Sequence, residues 1–81
     1  EIIRSAAKGA YSRGGEARKD AIRYFQILLP VLEQVKDPQT RHYYEAEAWF
    51  LMGKAYYFMG RELGGALCFE QGARRCKDVK R

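Results

Sequence analysis

The sequence predicts an all-α chain, and three observations carry that expectation. Apolar residues recur at intervals of three and four, and no segment alternates cleanly between apolar and polar. Val, Ile and Thr together number only eight. Breaks at Gly14-Gly15, at Asp37-Pro38 and at Gly60 with Gly64-Gly65 divide the chain into four helices, paired as two antiparallel hairpins. Eighty-one residues suit one domain, 1–81, and exclude a multidomain enzyme. A hydrophobic fraction of 47% with 14% aromatics excludes a disordered tail. No apolar run reaches membrane-spanning length. The chain opens at Glu1 without Met or a basic-then-apolar leader, so an excerpt of a longer protein without a visible signal peptide is expected.

The first helix runs from the start to about Arg13, turning Ile2, Ile3, Ala6, Ala7, Ala10 and Tyr11 inward, and Gly14-Gly15 supplies a left-handed cap. The second, about 16–36, carries Ala21, Phe25, Leu28, Leu32 and Val35 at spacings of four, three, four and three. Pro30 removes one amide donor from it, but the stripe stays in phase on both sides, which predicts a bend and not an end. Asp37 as N-cap with Pro38 as first helical residue starts the third helix, about 38–59. Two adjacent apolar rows, Tyr44, Ala48, Leu51, Ala55, Phe58 and Trp49, Met52, Tyr56, Met59, require neighbours on two sides of it. The fourth, about 62–78, offers Leu63, Ala66, Phe69, Ala73 and Cys76 as its inward stripe. Gly64, Gly65 and Gly72 weaken its propensity and predict close helix approach.

The net charge is +5, and the excess sits at the ends: Arg4, Lys8, Arg13, Arg18 and Lys19 early, Arg74, Arg75, Lys77, Lys80 and Arg81 late. That balance favours acidic partners or nucleic acid. Cys68 and Cys76, eight residues apart, stand about 12 Å apart on a helix and cannot bridge, so reduced thiols and a cytoplasmic setting are expected. One histidine and no Cys-x-x-Cys or His-x-x-x-His spacing leave no ligand set for a metal. His42 with Glu45 three residues on reads as a solvated first-turn pair and not as a catalytic base. Glu45 and Glu47 face different sides of a helix, and Gly14-Gly15 lacks the strand and Gly-Lys-Ser/Thr of a phosphate loop. No catalytic residue, cofactor or metal is expected.

The halves also resemble each other. At an offset of 45, Ala10-Tyr11 falls on Ala55-Tyr56, Gly15 on Gly60, Ala21-Ile22 on Ala66-Leu67 and Tyr24 on Phe69, which gives repeat units of about 1–37 and 38–81. Trp49, Met52, Gly53, Ala55, Tyr56, Gly60, Ala66 and Ala73 resemble the tetratricopeptide repeat (TPR) signature, most closely over 46–60. Arg4 and Lys8 in the first unit and Glu70 in the second depart from it. The period of 45 exceeds the family's 34 and is similar to its elongated-helix variants. The resemblance implies a right-handed α-solenoid fragment in which Trp49, Gly53, Tyr56, Tyr11, Ala21, Ala66, Phe25 and Phe69 are structural. Two units are fewer than such a stack usually needs, so self-association or further repeats are implied.

By the same resemblance, a concave groove is lined by Glu47, Phe50, Lys54, Tyr57 and Phe58, with Ser5, Ser12 and Arg13 from the first unit. Aromatics beside a lysine suit a partner peptide or helix: a ring anchors by burial and the ammonium pairs with charge. The family's terminal-carboxylate clamp is not expected, because Leu51 stands where asparagine is wanted. The chain is therefore expected to be a non-catalytic protein-interaction module without membrane contact. RNA binding through Arg18, Lys19, Arg23, Arg74, Arg75 and Lys77 is the competing reading, and a self-association repeat is a third.

Overall fold

Local punctuation sets the helix ends. In the computed structural model α1 spans Ile2–Arg13, α2 Ala17–Leu32, α3 Pro38–Phe58 and α4 Glu62–Lys77, with no strand among the described residues. The description covers residues 2–77; the Ile2 side chain, Asp78, Lys80 and Arg81 lie outside it. Asp37 is extended at φ −76° and ψ 115°, and its carboxylate accepts from the Thr40 amide at 3.1 Å and from the Thr40 hydroxyl. Two of the donors a helix start leaves without partners are thereby handled, because Pro38 has none to offer. At the other end of α3, Gly60 takes φ +80°; its amide donates to the Tyr57 carbonyl and the Arg61 amide to the Tyr56 carbonyl, the paired bonds of a Schellman turn. Gly14 and Gly15, at φ +71° and +57°, turn the chain between α1 and α2.

Two expectations need correction. The second helix ends at Leu32, four residues before the expected 36, although it does continue through Pro30. The amides of Glu33, Gln34 and Val35 each reach back only three residues, so the chain tightens into turns before it straightens into Asp37. The face of α4 is also different. Gly65, Cys68 and Gly72 are buried and Phe69 half-buried, whereas Ala66, Ala73 and Cys76 are exposed and Leu63 is 76% exposed. Ala66 therefore has no packing role.

The cause is the approach of α4 to α3. A Cβ on Gly65 would stand 2.9 Å from the Gly53 carbonyl oxygen, and one on Gly53 2.9 Å from the Phe69 ring. A Cβ on Gly72 would stand 3.0 Å from Phe50. Backbones come this close only along a line without side chains, so glycine and not the larger apolar residues selects the inward face. Phe69 is left half-buried beside Phe50 and Tyr57.

Each helix packs on its neighbour in chain order, α1 on α2, α2 on α3 and α3 on α4, so α3 has the two sides its apolar rows require. The core joins Ala7 and Ala10 of α1, Ala21, Ile22, Phe25, Leu28 and Leu32 of α2, Ala48, Met52 and Ala55 of α3, and Cys68 of α4. Tyr11, Trp49 and Tyr56 pack half-buried against it. Alanines hold the helices close, and Phe25 and Met52 are the largest side chains enclosed.

Candidate partner-binding face

Positions 47, 50, 54, 57 and 58 fall within an arc of about 100° on a helix of 3.6 residues per turn. The structure brings them onto one side of α3, but gives them different work. Glu47 is already engaged: its carboxylate accepts from the Arg4 guanidinium at 2.7 Å and from the Lys8 ammonium at 3.3 Å, tying α1 to α3. Arg4 also lies over the Tyr44 ring, 4.6 Å from its centre. Phe50 is half-buried against the Gly72 gap, 6.3 Å from Phe69. Tyr57 also lies against Phe69, its ring tilted and 6.1 Å away, but remains 51% exposed.

Phe58 is 64% exposed, with the Arg18 guanidinium 4.4 Å above its ring. Lys54, exposed, stands between the Phe50–Tyr57 edge and the Glu47–Phe58 edge of the arc. Arg13, Ser5 and Ser12 are exposed on α1. The exposed elements of this face on α3 are thus one ammonium and two rings, Lys54 with Tyr57 and Phe58, each ring contacted on one side by Phe69 or Arg18. An aromatic surface beside a cation can bury an apolar side chain and pair a carboxylate within one footprint.

The basic residues separate into two groups. Arg18 is half-buried, and its guanidinium lies between Phe58 and Tyr11, 5.8 Å from the latter's ring. Arg75 is half-buried, donates to Gln71 at 2.8 Å, approaches Glu45 at 3.9 Å and lies 5.9 Å from the Trp49 ring. Both of these cations, which belong to the expected basic surface, already make contacts within the chain. Lys19 pairs with Glu16 at 3.2 Å, Arg74 approaches Glu70 at 4.0 Å, and Arg23 and Lys77 are exposed.

A hollow of about 400 Å³ opens between α2, α3 and α4, lined by Leu29, Pro30, Met52, Trp49, Tyr56 and Cys68, with Glu33, Glu45 and Arg75 at its polar margin. Burial pushes the Cys68 thiol up from its ordinary value, which suits a packed side chain and not a nucleophile. His42 lies 3.7 Å from Glu45. Among the described residues no three His, Cys, Asp or Glu side chains converge as a metal site, and no helix is long and apolar enough to cross a membrane.

Sequence reasoning missed the two bridges to Glu47 and the four arginine–ring contacts. Arg4 and Glu47 are 43 residues apart, and no local pattern joins residues at that separation. No family model matches the chain, and no curated protein or solved structure matches it either.

Proposed function

We propose that this chain is a non-catalytic protein-interaction module, a fragment of a TPR-like right-handed α-solenoid made of two stacked hairpins, that holds a partner peptide or helix. The observation that carries the reading is the exposure of Tyr57 and Phe58 beside Lys54 on an α3 whose other sides are packed. Rings left in water on a well-packed helix cost solvation that a partner's apolar side chain removes. The overall charge of +5 attracts an acidic segment and raises its encounter rate. Two free thiols go with a reducing compartment such as the cytoplasm. Nucleic acid is the weaker reading, because the Arg18 and Arg75 guanidinium groups already lie against rings of the chain.

The test is affinity capture from cell extract, in nuclease-treated and untreated halves, by the wild-type chain and by a Lys54→Ala/Tyr57→Ala variant. A defined protein set that survives nuclease and disappears with the variant is the expected outcome. Retention by the variant at unchanged helicity places the binding face elsewhere, and collapse on nuclease treatment favours the basic residues.

A further inference from the structure

The exposed sides of α2 and α4 carry patterns that fit each other. On α2, Tyr24, Ile27 and Val31 are 38%, 54% and 46% exposed, with exposed Asp20 one turn ahead of them. On α4, Leu63 and Leu67 are 76% and 56% exposed, and the same line continues through exposed Glu70 and Arg74. Neither line is used inside the chain, since α2 and α4 bury other faces.

The spacings match in opposite directions. From Leu63 the α4 line advances by four, three and four residues to Leu67, Glu70 and Arg74; from Val31 the α2 line steps back by four, three and four to Ile27, Tyr24 and Asp20. At 1.5 Å per residue, two helices laid antiparallel keep these positions in step for about 16 Å. Val31 then meets Leu63, and Ile27 meets Leu67. Glu70 meets the Tyr24 hydroxyl with Arg23 beside it, and Arg74 meets Asp20. The parallel alignment fails, because it sets Asp20 against Leu63, Ile27 against Glu70 and Val31 against Arg74.

We propose that the α2 line of one copy docks antiparallel on the α4 line of a second copy. Two apolar positions fall on apolar positions, Glu70 falls on a phenol that can donate to it, and Arg74 falls on its opposite charge; both halves of that match reside in one sequence, so the occupant is this chain itself. The approach of Arg74 to Glu70 within α4, at 4.0 Å with both side chains more than half exposed, is weak enough to be exchanged for the contact across copies. None of the paired residues belongs to the Lys54, Tyr57 and Phe58 face.

Sedimentation velocity over about a hundredfold concentration range tests this. The wild type should rise above the monomer mass with concentration. Ile27→Gln, an exposed position whose change leaves the core intact, should weaken association about tenfold or more at unchanged helicity. Asp20→Arg and Arg74→Asp should each weaken it alone by placing like charges together. An equimolar mixture of the two variants should restore it, because the exchanged charges then meet across copies with opposite sign. A wild type that stays monomeric overturns the proposal. Association indifferent to Ile27→Gln, or a mixture no stronger than its components, overturns it as well.

Discussion

Asp37 is exposed, yet its carboxylate is committed twice to Thr40, and both bonds are stronger to the ionised form. The Thr40 hydroxyl first, and then its amide, hold the carboxyl below its ordinary value of 3.8. A depressed acid in the folded state means that the unfolded chain binds more protons, so the cap's contribution is complete above the unfolded value and is lost as pH falls through the folded one. We expect thermal melts of the wild type to lose stability below about pH 4, and Asp37→Asn, which still accepts from the amide without titrating, to show a shallower fall. An identical pH profile for the two proteins would remove Asp37 from this role. At this scale the sequence was fully legible: Asp-Pro and the cap it makes involve residues within a few positions of each other. Arg4 and Glu47 show the converse, a bond whose partners are strangers in sequence until α1 reaches α3.

Elements are held by pairs of faces, and here α4 separates two kinds of sequence signal. Its boundaries were readable from Gly60 and the apolar spacing, but its orientation was not, because Leu63 and Ala66 looked more inward than Gly65 and Gly72. The deciding information is on α3: Gly53 opens a notch, and α4 turns its own glycines into it. Two substitutions one residue apart separate the alternatives. Gly65→Ala adds up to about 1 kcal/mol of helix propensity, but its Cβ meets the Gly53 carbonyl at 2.9 Å, so a net loss of about 1–3 kcal/mol in chemical denaturation is expected. Ala66→Leu points into water and should stay within about 0.5 kcal/mol of the wild type. The reverse ranking would mean that α4 packs through the Leu63 and Ala66 side.

The molecule as a whole is organised around α3, which touches α2 through the core, α4 through the glycine notch and α1 through Glu47. Glu47 accordingly acts as a strut before it can act as a binding group, and the candidate face reduces to Lys54, Tyr57 and Phe58. Aromatic exposure on that arc was legible from helical spacing; which of the five side chains were already spoken for was not, because the answer depends on α1 and α4. Glu47→Gln removes the charge that holds Arg4 and Lys8. Amide hydrogen exchange should then accelerate in α1 while α4, on the far side, keeps its protection; equal acceleration in both would show that the bridge is not local to α1. The Trp49 contact has one more consequence. It is the chain's single tryptophan, it lines the hollow among α2, α3 and α4, and the Arg75 guanidinium lies beside its ring. Indole fluorescence from this protein therefore comes from one junction, so the chain carries its own optical gauge of whether the last helix is seated.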